Sequence, residues 1–359
     1  MTLRTNRTAL ALFTAPLALL AGCGGDDHDH DHEHAHSVVE HDLGLVDGLT
    51  AESIAMGLQN PSFVSFDGTG RLTISDSGHG RVLVRKADGT METVVDGLPT
   101  EFWKVNLTEG TERFQLGALA ALWLPDGRLA VSNGGLKDGE DHIVFRPKGG
   151  GELLASNGVA KTSDDDLDNG EGNLCGFSLS PDGGTLYVAG QGADAKTWVL
   201  ACDVATRELT TLASADDAGI AINSPMHTMP IGDDRLLVLY SGAGGVDDGL
   251  FVEWDLTDGS VAAQWTLPGL TDPMGFAAMP DGGGYAVVDN NWALKEVLEG
   301  RIAKVTLPEG GGAAKVEIVA DKVPGPVACA FGPDGKLYVA LLGERFDEEL
   351  GEVIAVSGL

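Results

Sequence analysis

The sequence predicts an all-β protein, a six-bladed β-propeller whose ring is closed by an N-terminal strand. Three observations carry this reading. One phrase recurs six times: an apolar run, a turn such as Pro-Asp-Gly, then a second apolar run. The copies are "PSFVSFDGTGRLTISDS", "ALAALWLPDGRLAVSNG", "LCGFSLSPDGGTLYVAGQ", "PMHTMPIGDDRLLVLYSG", "PMGFAAMPDGGGYAVVDN" and "PVACAFGPDGKLYVALLG". They lie roughly 50–60 residues apart, the spacing of propeller blades. Most copies are followed by a third run ("RVLVRKA", "HIVFRPK", "WVLACDV", "LFVEWDL", "RIAKVTL") and a fourth ("METVVDGL", "GELLASNG", "ELTTLAS", "AAQWTLPG", "KVEIVADKV"). Four strands per repeat make one blade. The last repeat ends one strand short at "EVIAVSGL", and Val38 to Leu49, "VVEHDLGLVDGL", matches the fourth-strand phrase. That segment is expected to complete the final blade and remove the open sheet edge.

The elements follow in order. Residues 1–22 read as an export signal. Arg4 and Arg7 precede the apolar run Ala9 to Leu20, which is too short to span a bilayer. It ends in Leu20-Ala21-Gly22-Cys23. This resembles the lipobox of bacterial lipoproteins, in which small residues admit the peptidase and the thiol takes a lipid. Cys23 is therefore the expected lipidation site, and the bacterial cell envelope, on the periplasmic or outer-surface side, the expected location. Residues 23–37 form a tether. It carries His28, His30, His32, His34 and His36 with carboxylates between them. Alternating imidazoles on a flexible chain suit Zn²⁺, Cu²⁺ or Ni²⁺. Residues 38–359 are the propeller. In each hairpin Asp-Gly supplies the positive φ of a tight turn between runs rich in Val, Leu, Tyr and Phe. Short helical turns are expected at Ala51 to Leu58 and Trp292 to Leu298.

The net charge of −31, from 23 basic and 54 acidic residues, excludes nucleic-acid binding through a basic patch. A monomer is expected. Cys175, Cys202 and Cys329 each lie within an apolar run, with no CxxC. They read as small buried hydrophobes, not a disulfide framework.

The hairpin phrases, above all "NLCGFSLSPDGGTLYVAGQ", resemble NHL-type and gluconolactonase-like (SMP-30, strictosidine synthase) six-bladed propellers. The resemblance implies a metal-dependent lactonase as one function. That family carries a metal-binding Glu in a Glu-Gly-Pro phrase, where this chain has Asn60-Pro61-Ser62. Asn173 could stand for the family's metal-binding Asn.

Propeller geometry gathers distant residues. Inner strands start at one face, and second strands end there. The candidate mouth therefore holds Asn60, Asn173, Asn223 and Asp272 from strand starts, with His227 deeper. The ends of second strands add Asp76, Ser77, His79, Asn133, Asp289, Asn290, Asn291 and Trp292. Two insertions bring Trp103 and Glu171. Such a ring suits Ca²⁺ or another divalent cation, or a small polar ligand. The same Asn and Asp residues also serve to make turns and cap backbone amides. His227 fits a ligand or a hydrogen-bonded pore histidine, and Trp103 and Trp292 fit lids or packing. The leading function is a lipid-anchored extracytoplasmic binding or scaffold propeller with a metal-binding tether. The alternative is a lactone hydrolase in which a divalent cation polarises the carbonyl.

Replacing Cys23 by Ser is expected to move the protein from the membrane to the soluble fraction. Identical partitioning of wild type and variant into the soluble fraction would remove the anchor.

Overall fold

The computed structural model describes residues 37–40, 42–102, 105–106, 111–112, 115–136, 140–158, 173–190, 198–220, 224–290, 299–342 and 349–359. Cys23, the tether histidines, Trp103, Glu171, Asn223, Asn291 and the Trp292 to Leu298 segment lie outside them.

Six four-stranded antiparallel blades form the propeller. The inner strands are Pro61–Phe66, Ala118–Trp123, Leu174–Leu179, Pro225–Pro230, Pro273–Ala278 and Pro326–Phe331. Each pairs with the second strand of its own hairpin, as the repeated phrase predicts. The third and fourth phrases supply the outer strands of the first five blades. A short extra strand, Gly312–Ala313, adds in parallel to the outer edge of the fourth blade.

The turns show why Asp-Gly recurs. In the first hairpin the Asp67 carboxylate accepts from the amides of Thr69 (2.8 Å) and Arg71 (2.9 Å) and from the Arg71 guanidinium (2.7 Å). Partial burial raises its pKa, but these donors outweigh that and bring it down to about 2. Gly70 then takes φ 83°, which a residue with a Cβ resists. In the second and third hairpins Asp126 and Asp182 stand directly before the positive-φ Gly127 and Gly183 and accept from the amides two residues on.

Neighbouring blades meet along their inner strands. Ser62 and Ser65 each donate to the second blade, to the carbonyls of Leu119 and Ala121 (both 2.7 Å). Gly176 lies where a Cβ would stand 2.4 Å from the Met226 carbonyl and 2.9 Å from the His227 Cα. Only glycine permits that approach between the third and fourth blades.

The ring closes as expected, but through a different strand. Thr50–Leu58 pairs antiparallel with Gly351–Ser357, from Thr50 opposite Ser357 to Leu58 opposite Gly351. It is the outermost strand of the sixth blade. The expectations of a closing strand at Val38 to Leu49 and of helical turns at Ala51 to Leu58 are both overturned. Two register shifts, at Ser53/Ala55 and Met56/Leu58, break the alternation that would mark a strand. Ala, Glu and Met also favour helix locally, and pairing overrides that weak preference. The upstream segment instead begins with a 3₁₀ turn, Val38–Glu40. Ser37 Oγ and the Val38 amide donate to the buried Glu352 carboxylate at 2.9 and 2.6 Å. Leu43 is buried in the core shared by the fifth and sixth blades, and the Val46 amide donates to the Val319 carbonyl (3.0 Å).

A chain starting at Ser37 is expected to melt cooperatively at the full-length temperature. One starting at Gln59 is expected to lose cooperative unfolding and aggregate. Equal melting of the two in calorimetry would refute the closing-strand assignment.

Candidate functional site

All six inner strands carry a register shift near their start: Pro61/Phe63, Ala118/Ala121, Leu174/Gly176, Pro225/His227, Pro273/Gly275 and Pro326/Ala328. A bulge leaves its extra residue out of the ladder. Here the residues released are Ser62, Cys175, Met226, Met274 and Val327, with Leu119 and Ala120 together in the second blade, and all but Ala120 line the same central cavity. The cavity holds about 810 Å³ of empty space, its open mouth included. Its wall is mainly apolar, with Phe63 and Leu116 added, and three carboxamides lie on it: Asn60, Asn173 and Asn290.

The carboxamides are oriented by their surroundings. Asn60 is fully buried and donates Nδ2 to the Gln115 carbonyl (3.2 Å). Asn290 donates Nδ2 to the Pro326 carbonyl (3.2 Å). Among the described residues the Oδ1 atoms of Asn60, Asn173 and Asn290 have no hydrogen-bond partner. Asn60 also takes φ 47° immediately before Pro61. A non-glycine residue there is strained by roughly 1–3 kcal/mol, and such strain clusters at functional sites.

His227 stands across the axis. Its ring meets Phe63 of the first blade (centroids 5.6 Å apart) and Phe276 of the fifth (5.1 Å), both edge-on. Burial lowers its pKa to about 4, although the carbonyls of Phe276 and Phe177 pull the other way. Near neutral pH the imidazole is therefore uncharged. Nδ1 has no partner among the described residues, which assigns the ring proton to Nε2 and leaves a lone pair at Nδ1.

The predicted acids are employed elsewhere. Asp76 and Asp289 occupy equivalent positions, opposite Pro61 and Pro273. Asp76 accepts from the Gln59 amide (2.7 Å), from Arg81 (2.7 Å) and contacts His79 (2.9 Å). Asp289 accepts from the amides of Thr271 (3.1 Å) and Asp272 (2.7 Å) and from Arg301. Burial raises the Asp289 pKa, against the pull of Arg301 and these amides. Both carboxylates are fully buried pins holding an inner strand to its blade, and neither lines the cavity. Asp272 Oδ1 accepts from the Gly245 amide (3.0 Å), away from the cavity wall. The structure thus brings together Asn60, Asn173, His227 and Asn290, and it sets Asp76, Asp272 and Asp289 apart. Glu171 and Asn223 lie outside the described residues.

Sequence reasoning missed Met226, Met274 and the position of Cys175. All three are half-buried on the cavity wall. The signal was present: each is the second residue of its inner strand. Cys202 and Cys329 are buried as expected, and burial pushes the Cys202 thiol up to about 12 and raises that of Cys329 as well. Among the described residues Cys175, Cys202 and Cys329 form no disulfide.

No family model and no curated protein matches this chain. Solved structures do. One glucose dehydrogenase aligns with a TM-score of 0.59 at 14% identity, covering 86% of this chain and 100% of its own. A gluconolactonase from Xanthomonas campestris gives 0.55 at 13%, covering 88% and 91%. A putative oxidoreductase (glucose dehydrogenase) from Thermus thermophilus gives 0.54 at 16%, covering 86% and 100%. The neighbours are six-bladed β-propellers. At these identities the likeness carries the fold and says nothing of chemistry.

His227 predicts an acid-linked loss of stability. Its folded pKa lies below the ordinary 6.5, so its contribution is complete above that value and is lost as pH falls towards about 4. The full window is worth on the order of 3 kcal/mol. Urea unfolding of wild type between pH 7 and 4 is expected to show this extra loss, and His227→Gln to lack it. Parallel pH profiles for the two proteins would disprove the assignment.

Proposed function

We propose that this chain is a lipid-anchored, extracytoplasmic binding propeller, whose central cavity holds a small, mainly apolar molecule bearing hydrogen-bond donors. One observation carries the reading: three carboxamides on a mainly apolar cavity wall, Asn60, Asn173 and Asn290, have buried Oδ1 atoms without a partner among the described residues. A buried acceptor left unpaired costs about 1–3 kcal/mol. A ligand supplying hydroxyl, amide or ammonium donors recovers that cost and fills the apolar space. The charge of −31 favours neutral or cationic ligands over anions. In this reading Cys23 fixes the protein to the membrane, and the tether histidines hold a transition-metal ion beside it.

Hydrolysis of a lactone is the second reading, and the gluconolactonase among the structural neighbours is its support. It would place a divalent cation on Asn60 and Asn173. A hard cation binds best to carboxylates. Among the described residues the cavity lining offers no carboxylate, and its oxygen donors are carboxamides and the Ser62 hydroxyl, so this donor set is a poor fit for a hard cation and no step is assigned to a metal.

The test is a thermal-shift panel of matched apolar amines, alcohols and carboxylates. Saturation at about 100 times Kd contributes roughly 2.7 kcal/mol. Amines or alcohols are expected to raise the melting temperature by several degrees, carboxylates not, and Asn60→Ala to abolish the shift. Gluconolactone hydrolysis that requires added divalent metal, with no shift by donors, would reverse the choice.

A further inference from the structure

We propose that the tier of side chains just below the carboxamide rim is a binding site for a soft monovalent metal cation of the copper(I) type, formed by Cys175, Met226, Met274 and His227. The inference does not depend on the organic ligand proposed above, because it uses a different set of atoms.

The equivalence of the six bulges supplies the geometry. Cys175, Met226 and Met274 are the released residues of the third, fourth and fifth blades. They therefore stand at one level on three consecutive blades. His227 follows Met226 directly and reaches across the axis towards Phe63. All four line one cavity and keep part of their surface towards it. The third and fourth blades are close at this level, since Gly176 leaves only 2.7 Å between a notional Cβ and His227 Cδ2. Thioethers on flexible stems can then converge without backbone movement.

The chemistry selects the ion. Two thioethers, one thiol and one imidazole are soft or borderline donors, which favour copper(I) over hard divalent cations. His227 presents an unpartnered Nδ1 lone pair. The carbonyls of Phe177 and Phe276 lie against the ring to take its other N–H. A metal-bound histidine is held in this manner, its second nitrogen bonded to a carbonyl or carboxylate. The Cys175 thiol lies 3.0 Å from the Asn173 carbonyl as a donor. On metal binding its proton leaves to solvent and the thiolate balances the single positive charge, so no net charge is buried. The ring of six bulges would hold such sulfur on one side only, since Ser62, Leu119 and Val327 occupy the other three blades.

The experiment uses the full chain with Cys23→Ser and the five tether histidines His28, His30, His32, His34 and His36 replaced by Ala, which removes competing donors. Silver(I), a redox-inert substitute for copper(I), is added to protein carrying ¹³C-methyl methionine. One equivalent is expected to shift the methyl signals of Met226 and Met274 and to leave the other methionines unmoved. In competition with a copper(I) chelator, Met226→Leu with Met274→Leu is expected to weaken binding by at least about 100-fold. These volume-conserving changes should leave the apo melting temperature nearly constant. Unmoved Met226 and Met274 signals on the parent, or unchanged affinity in the Leu variant, would overturn the site and leave both methionines as apolar wall. The methyl shifts are read on the parent, so they decide the question even if the Leu variant fails to fold. Loss of silver binding with retained melting shifts by apolar amines would sink this inference alone and leave the binding propeller standing.

Discussion

Everything at the centre of this molecule depends on one pairing between segments some 300 residues apart, Thr50–Leu58 with Gly351–Ser357. Without it the sixth blade is one strand short, and the first and last blades are held together only by side-chain packing such as that of Phe63 and Val64 with Val327 and Ala328. The entropic cost of joining such distant segments is modest, because closure entropy grows only about 0.6 kcal/mol per doubling of loop length. The gain is concentrated. Leu58, Val353 and Ile354 are buried at the seam, and Gly351–Ser357 is paired on both of its edges. The upstream residues reinforce the same seam: Ser37 and Val38 bind Glu352, while Leu43 and Val46 attach to the fifth blade. The fold therefore places its N-terminal segment across the junction most exposed to opening.

Closure creates the channel, and the bulges decide what lines it. An unbroken antiparallel strand turns its side chains alternately to its two flanking blades. A bulge at the start of each inner strand releases one residue from that alternation. Because the shift recurs in all six blades, each blade brings a released residue to one level, whatever its chemistry. The backbone thus sets their level and the side chains set the chemistry of the cavity wall, while Ser62 also ties the first blade to the second. The pins below are the reverse. Asp76 with Arg81 and Asp289 with Arg301 fix the strand starts that carry the bulges. Removing one partner of such a pair leaves a buried charge uncompensated, at about 3–5 kcal/mol.

The sequence made the hairpins legible because their cause is local. The turn from Asp67 to Arg71 keeps its hydrogen bonds within five residues. The closing strand was illegible for the opposite reason. Its partner lies at the other terminus, two bulges spoil its alternation, and Val38 to Leu49 offered a better-looking copy of a fourth strand. The site was legible in part. Asn60, Asn173 and Asn290 stand on the cavity as strand ends should, yet Asp289, one residue from Asn290, does not. Strand alternation separates such neighbours, and the single-letter pattern gave no phase for it. Met226 and Met274 carried no signal of their own, because nothing in a lone Met reports that a bulge has turned it towards the axis.

The residue preceding each inner strand shows how the rim is tuned. In the sixth blade this position is Gly325 at φ 58°, a conformation glycine adopts freely. In the first and fourth blades the same backbone turn is made by Asn60 (φ 47°) and Ser224 (φ 65°), each ahead of a proline. Glycine would serve the turn better at both positions, and the difference is roughly 1–2 kcal/mol per site. Asn60 adds a second cost, since its Oδ1 is buried without a partner among the described residues. Its Nδ2 bond to the Gln115 carbonyl recovers only part of this, because a neutral hydrogen bond contributes about 1 kcal/mol net. Stability alone therefore argues for glycine at this position, and the carboxamide fits the donor-bearing ligand proposed for the cavity.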